Sequence, residues 1–353
     1  MSSTTREESG VDGFSCDVVI PTHGRDDSRL FEAIESVELQ TCPASRIVVV
    51  VDGNPETATV VRRRYPTVSV ICLARPQGAA AARQAGILAC QAEWVAFLDD
   101  DDLWSRDKQE RTARYVREHP RCDAVRAGYW MFADVDEALT GLNGQVVEIR
   151  AGSLPELERK SLNARPMNDL GYLDIEGDSL SLMLEFNRGV TSTTVVRRDI
   201  LTSLPPVPVG QRPGDDHLLF CHVAAMTEWH LIKARLAYYR VHPAQDTRKV
   251  DPTAGRGIVV AKVRAWEAHG HENSRQLADY GPTYRAEVRQ LMWPLVKAGS
   301  IRAALDIWVA ARPLLPRRRD RICALVPDPV VWHLQSRMRS RRGQRTLARP
   351  PEW

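Results

Sequence analysis

The sequence predicts an α/β protein: a doubly wound, mostly parallel sheet followed by a helical C-terminal extension. Three observations point there. Short apolar runs alternate with helix-period segments through the first hundred residues, the pattern of βαβ units with right-handed crossovers. Arg46–Val51 is an unbroken β-branched run, as a strand covered on both faces requires. Beyond Gly255 strand signals mostly cease and helical patterns take over.

The elements follow in order. Met1–Ser15 is polar, lacks the apolar stretch of a signal peptide, and is expected as a disordered leader. Cys16–Ile20 reads as a strand ended by Pro21, with Thr22–Arg25 as the loop after it. Leu30, Ile34 and Val37 give one face of a helix over Ser28–Gln40, stopped before Pro43. After the Arg46–Val51 strand, Asp52-Gly53-Asn54-Pro55 forms a turn, and a helix through Val60–Tyr65 precedes a strand at Val68–Leu73. The Ala-rich stretch Ala79–Ala89 predicts a helix carrying Arg83. Trp94–Leu98 is a buried strand, then Lys108–Glu118 a helix and Ala124–Phe132 a strand. Ala133–Asp178 is mixed, with turn signals at Gly141, Asn143-Gly144 and Gly152. Val190–Val196 reads as a polar-rich strand. A helix opens at Asp215-Asp216-His217, and Leu231–Arg240 is the last strand. The expected division is a leader over 1–15, an α/β domain over 16–247, a helical extension over 248–316 and a basic amphipathic tail over 317–353. In the extension, Leu291, Trp293, Leu295, Ile301, Leu305 and Trp308 are expected to form core.

Composition sets the outer bounds. The chain has 353 residues, 43% hydrophobic and 26% charged, enough for one large or two ordinary domains. No run reaches the roughly 18 apolar residues of a membrane-spanning helix. The 7 cysteines are scattered without a CxxC pair, which argues against a zinc site or disulfide framework and for a reducing, cytoplasmic compartment. The net charge of +3 hides an asymmetry. Arg312–Arg349 holds 11 Arg, no Lys and two acids, so this stretch carries +9 and the remainder −6. A basic tail on an acidic body implies an anionic partner.

The chemistry centres on Asp99-Asp100-Asp101-Asp102, four carboxylates at the end of the Trp94–Leu98 strand. Ligands of open α/β sheets bind outside the carboxyl ends of strands. Adjacent anions repel, so a hard divalent cation held by one or two carboxylates and completed by substrate phosphates fits. A solvated acidic loop, with Ser105 capping the next helix, fits the bare spacing as well. Asp52 could accept from a nucleobase N–H or simply form the turn before Gly53. Arg83 could meet phosphate or be a surface charge.

Taken together, the motifs resemble those of the family 2 glycosyltransferases, which have the GT-A fold. The resemblance rests on Val18-Val19-Ile20-Pro21-Thr22 with Arg25, on Ser36 and Gln40-Thr41, on Val48–Asp52, and on Gln77-Gly78 with Ala82-Arg83. It continues through Ala96–Trp104, which matches a Leu-Asp-x-Asp-Asp-x-Trp pattern, Gly214-Asp215-Asp216 and Tyr239-Arg240-Val241-His242, and covers about residues 16 to 247. It implies an inverting transfer from a nucleotide-diphosphate sugar to an acceptor hydroxyl, with Mn2+ or Mg2+. By the same resemblance Pro21, Thr22, Arg25, Asp52, Arg83, Asp99 and Asp100 hold the nucleotide sugar. Asp101, Asp99 and His242 hold the metal, and Asp216, supported by Asp215, is the catalytic base. A lone His before Pro, as His242 is before Pro243, is more often structural. The chain departs from many members in carrying His23-Gly24 where they have Tyr-Asn, Gly53 where they have a second Asp, and Asp-Asp rather than Glu-Asp at 215–216.

In the tail, Val330, Val331, Leu334 and Met338 share a helical face, and Arg337, Arg339, Arg341, Arg342 and Arg345 cluster beside it. A basic amphipathic helix predicts weak contact with an anionic membrane surface, useful if the acceptor is lipid-linked at the inner face. A solvated tail is the plain alternative. Nucleic acid is not expected, because aromatics are not interleaved with the arginines. Two other functions share the fold. A sugar nucleotidyltransferase needs a Gly-rich basic loop after the first strand, which Pro21–Arg25 does not supply. A non-catalytic nucleotide-sugar-binding protein needs neither metal site nor base.

Overall fold

The computed structural model describes residues 13–132, 165–167, 170–211, 213–242 and 252–325. The chain divides into two units. The first runs to Gln245, apart from two short segments (184–186 and 212–214) that group with the second, which continues from Asp246.

The first unit is built on one mixed sheet. Its strands are β1 (Cys16–Thr22), β2 (Arg46–Asp52), β3 (Ser69–Leu73), β4 (Trp94–Phe97), β5 (Leu103–Trp104), β6 (Ala124–Phe132), β7 (Arg165–Met167), β8 (Val195–Arg197) and β9 (Trp229–Arg240). Their order is β3-β2-β1-β4-β8-β6-β9-β5, with β7 on β6. The β3-β2-β1-β4 half is parallel, as the β-branched run in β2 requires; Val48, Val49, Val50 and Val51 are fully buried. Beyond β4 the pairing turns antiparallel at β8, and β9 returns parallel to β6. By these directions β1, β2, β4 and β9 all end at the same rim.

Helices α1 (Asp27–Glu38), α2 (Pro55–Arg64), α3 (Ala79–Ala89) and α4 (Lys108–Glu118) join the early strands. Asp26 caps α1 by accepting from the N–H of Ser28 and Arg29, and Asn54 caps α2 with Pro55 in its first turn. Further along come α5 (Leu170–Leu173), α6 (Ser179–Glu185), α7 (Arg198–Ser203) and α8 (Asp215–Met226).

Several boundaries differ from expectation for local reasons. Strand β1 runs through Pro21, which pairs with Val50. Val19 O accepts from Leu98 N–H on the β4 side. Two residues on, Pro21 faces the same side, where β4 has already ended at Phe97, so its missing N–H costs no ladder bond. Val190–Val196 is a strand only from Val195. Before it, the Thr193 and Thr194 hydroxyls both bond back to Val190 O, and Thr191–Thr193 winds into a 3-10 turn. Ser105 does not cap α4. That place falls to Asp107, and the Ser105 hydroxyl, buried, meets Asp107 Oδ1 at 2.9 Å.

The second unit holds α9 (Pro252–His269), α10 (Gly281–Lys297), α11 (Ile301–Ala311) and α12 (Arg318–Ala324) around a core that includes Tyr284, Val288, Met292, Leu295, Ile307 and Leu315. Of the apolar residues expected as core here, Leu295 is buried and Leu291, Trp293 and Trp308 partly so, but Ile301 and Leu305 are exposed. Among the described residues no helix is long and apolar enough to cross a membrane. Most of the expected leader (residues 1–12), the turn signals at Gly141, Asn143-Gly144 and Gly152, and the Val330–Met338 face with its arginines lie outside the described residues.

Helix α3 lies so close to β1 that a Cβ at Gly86 would stand 2.3 Å from Val19 Cγ1. Ala gains about 1 kcal/mol of helix propensity over Gly. Overpacking against a buried, stiff Val costs about 1–3 kcal/mol. The clash wins, so Gly86→Ala is expected to lower the thermal midpoint; an unchanged or raised midpoint in a calorimetric scan would show that β1 yields.

Candidate active site

The rim gathers the loops after β1, β2, β4 and β9. Thr22 Oγ1 donates to Asp100 Oδ2 at 2.5 Å, His23 Nδ1 lies 2.9 Å from Asp52 O, and His242 Nε2 lies 3.0 Å from Asp101 Oδ2. All these side chains belong to the first unit.

The aspartate run is not a solvated loop. Each carboxylate has its own partner. Asp99 Oδ1 accepts from Arg83 Nη2 at 2.8 Å, Asp100 takes the Thr22 hydroxyl, and Asp101 faces His242. Asp102 is wholly buried and accepts from the Ser192 hydroxyl at 2.6 Å and from Arg240 N–H at 2.9 Å. Crowding of like charges in a buried place shows in their acidities. Burial, then the Asp101 charge, pushes the Asp100 carboxyl up to about 7 against the pull of Thr22. Burial holds Asp99 above its ordinary value despite Arg83, and burial with the Asp101 and Asp99 charges holds Asp102 well above.

Arg83 is not a surface charge. From the middle of α3 its guanidinium, 8% exposed, spans two elements: Nη2 to Asp99, and Nη1 to Asp215 Oδ2 at 2.7 Å. Burial alone would lower its pKa, but Asp99 and Asp215 outweigh it and the cation is held. This one bridge brings the acidic pair at the start of α8 to the aspartate run. Asp216 is turned the other way, accepting from Asn187 Nδ2 at 2.8 Å. Burial, then the Asp215 charge, raises its carboxyl to about 6, with Arg83 and Asn187 pulling down.

Asp52 is engaged in a way that neither sequence reading anticipated. Its buried carboxylate accepts from Gln77 N–H at 2.7 Å and Gly78 N–H at 2.8 Å, pinning the loop that starts α3. The departure at Gly53 has a steric cause: φ is +75°, and a Cβ would stand 2.4 Å from the Pro76 ring. Pro21 is buried at the rim and Arg25 is exposed there, close enough to Asp100 to lower its pKa.

Two groups at the rim, Ser192 and Asn187, escaped the sequence reading, and two that lay within its motifs, Asp102 and Arg240, were given no individual role. Ser192 donates to Asp102 while accepting from Asp99 N–H at 3.1 Å, and its carbonyl takes Trp104 Nε1–H at 2.7 Å. Arg240 donates through Nε to Asp101 O at 2.8 Å and pairs with Glu32. Asn187 holds Asp216, and Asp102 underpins the run. The available signals were the four hydroxyls Thr191–Thr194 inside an apparent strand and the Tyr-Arg-Val-His segment; nothing local marks Asn187.

A mixed sheet with an acidic run at the rim after β4 is the GT-A arrangement. A sequence model described as glycosyl transferase family 2 matches residues 17–144. That match spans about a third of the chain and agrees with the resemblance its motifs carry. It is 26% identical over 226 residues to an uncharacterised glycosyltransferase of Nostoc sp., covering 62% of each chain. An uncharacterised glycosyltransferase of Haemophilus influenzae is 26% identical over 121 residues, 32% of this chain and 41% of its own. A Bacillus subtilis protein, TuaG, described as a teichuronic acid biosynthesis glycosyltransferase, is 28% identical over 120 residues, 33% of this chain and 47% of its own. The chain therefore spans less than two thirds of the length of these relatives. The crystal structure of S. aureus TarS 1–349 in complex with UDP-GlcNAc shares the fold, with a TM-score of 0.51 at 14% identity over 85% of this chain and 91% of that one.

Arg83→Met leaves two half-buried carboxylates facing each other without a cation. Breaking a buried pair costs 3–5 kcal/mol; Asp99 keeps 28% exposure, so a loss of about 3 kcal/mol near pH 7 is expected. Without the cation Asp99, which burial already holds above its ordinary value, titrates higher still in the folded state than in the unfolded one. The folded state then binds more protons, so the deficit shrinks as pH falls from 7 toward 5. Urea melts at pH 7.5 and 5.5 check this. A deficit equal at both would mean that Arg83 stabilises by packing alone.

Proposed function

We propose that this chain transfers a sugar, with inversion, from a nucleotide-diphosphate donor to an acceptor hydroxyl in cell-envelope polysaccharide or glycoconjugate synthesis. The observation that carries the reading is the Asp99–Arg83–Asp215 bridge, which sets an acidic pair beside the aspartate run at one rim. The named relatives support the class, since TuaG is described for teichuronic acid synthesis and the TarS crystals hold UDP-GlcNAc.

In this reading Thr22, Arg25 and the loop pinned by Asp52 hold the nucleoside, with Pro21 shaping the loop. Asp99 and Asp100 lie nearest the ribose and diphosphate, and Arg83 steadies the carboxylates around them. The donor set suits Mn2+ or Mg2+: hard oxygen ligands, with His242 beside Asp101. Among the described residues no three His, Cys, Asp or Glu side chains are grouped to hold a metal ion unaided, so in this reading substrate phosphates complete the ligand set. Asp101, Asp99 and His242 would hold it, and bound there it supplies Lewis-acid charge to the leaving diphosphate.

Asp216 is the base. Asn187 fixes its Oδ2, and with its carboxyl raised to about 6 it is mostly ionised at pH 7 yet more basic than an ordinary Asp. It takes the proton as the acceptor oxygen attacks the anomeric carbon from the face opposite the diphosphate, so no covalent intermediate is needed. Asp215, occupied by Arg83, positions rather than reacts. A nucleotidyltransferase or a non-catalytic binding protein would have no use for this pair. The acceptor is proposed to be lipid-linked, with the protein peripheral at the inner face of the membrane through its basic tail.

Asp216→Asn is expected to fold and bind donor normally while kcat falls by about 10²-fold or more. In the wild type kcat should rise with pH through about 6 as the base ionises. Steady-state kinetics of both variants separates the pair, for an active Asp216→Asn beside a dead Asp215→Asn would transfer the role to Asp215. Asp101→Ala removes one of several repelling anions, so the ligand-free protein should melt no lower than wild type, while Mn2+-dependent binding of UDP is lost. Titration calorimetry with Mn2+ and UDP reads the second effect, and unchanged affinity would remove Asp101 from the metal site.

A further inference from the structure

Helix α11 has two apolar faces where one would serve. Ala304, Ile307 and Ala311 are buried in the core of the second unit. Ile301, Leu305 and Val309, four residues apart, form a second stripe along the same helix and are 52%, 48% and 54% exposed. Helix α12 is tied to α11 by Trp308 Nε1 donating to Arg321 O at 3.1 Å, and exposes Ile322 and Leu325 at 54% and 40%. Arg302, Arg312, Arg317, Arg318 and Arg319 are exposed on these same segments. Against them stand one exposed acid, Asp306, and the buried Asp320, which Arg285 occupies at 2.7 Å. The exposed side chains of these two helices and their connection are therefore both apolar and strongly basic.

Charge decides what can cover it. The following segment, 326–353, carries six Arg against two acids, so it is repelled rather than drawn to these arginines. A second copy of the chain would bring the same arginines face to face. A nucleic acid would satisfy the guanidinium groups and leave Ile301, Leu305 and Val309 in water. An anionic bilayer satisfies both: headgroup phosphates meet the arginines, and the stripe enters the boundary of the acyl chains. We infer that the α11–α12 face of the second unit docks on an anionic lipid surface. This face consists of residues 301–325; it shares Arg317–Arg319 with the start of the basic tail but not the Val330–Met338 stretch, and the inference does not depend on the glycosyl-transfer reading.

The test is co-sedimentation of the full chain with vesicles of phosphatidylcholine, alone or mixed equally with phosphatidylglycerol. The wild type should sediment with the mixed vesicles and stay in solution with the neutral ones. Arg317→Gln/Arg318→Gln/Arg319→Gln should weaken partitioning about 10²-fold at low salt, from roughly 1 kcal/mol per basic residue. Leu305→Glu/Val309→Glu should weaken it at least tenfold, and the milder Leu305→Ser/Val309→Ser less so; thermal melts confirm that both variants fold. A stripe variant that partitions like the wild type overturns the inference, because attachment then runs through the tail or through charge alone. Equal sedimentation with neutral vesicles overturns it too. So does a wild-type dimer, seen without lipid, that the stripe substitutions dissociate.

Discussion

The buried guanidinium of Arg83 is the interaction on which the rim depends. Six carboxylates, Asp99 to Asp102 with Asp215 and Asp216, come together at the ends of β4 and α8, and burial raises the cost of each charge. A cation between Asp99 and Asp215, 2.8 and 2.7 Å from them, is what lets α8 bring its first turn to the aspartates at all. The remaining carboxylates are handled one at a time, by the hydroxyls of Thr22 and Ser192, the main-chain N–H of Arg240, the ring of His242 and the amide of Asn187. Even so Asp99, Asp100, Asp102 and Asp216 remain harder to ionise than ordinary aspartates.

The parts of this arrangement that lie within one element were legible in the sequence. The β-branched run of β2, the period of α1 and the aspartates after β4 each announce themselves over a few residues, because burial on two faces or on one stripe writes a short pattern. Partners remote in sequence write none. Ser192 meets Asp102 from 90 positions away, and Arg83 meets Asp215 from 132. Sequence distance hid the alternative that mattered for Arg83, since a lone Arg on an Ala-rich helix looks like a solvated charge until both acids are placed. Asn187 is hidden more deeply. It is an exposed Asn in a loop, and only the fold puts its amide on Asp216.

The second unit shows the converse error. Ile301 and Leu305 recur at helical spacing, and such spacing identifies a face without saying whether anything packs on it. The actual core of α11 uses small residues, Ala304 and Ala311 beside Ile307, which let it approach its neighbours closely. Periodicity weighted by side-chain size therefore selects the wrong stripe. The correct one is recognisable only from exposure, and its meaning only from the arginines around it.

Two opposing influences act on Asp216, and on the proposed reading their balance is what suits it, rather than its neighbour, to the work of a base. It stands in the first turn of α8, where the helix dipole favours a negative charge by up to about 2 kcal/mol when partly buried. Burial and the adjacent Asp215 act the other way and prevail, leaving the carboxyl near 6 instead of its usual value near 4. A base is most effective when it is ionised at working pH yet only just so, because proton affinity and ionised fraction trade against each other. Asp215 lacks that freedom, since its Oδ2 is held by a buried cation. The bridge that assembles the rim thus also divides the acidic pair into one carboxylate that is fixed and one that is poised.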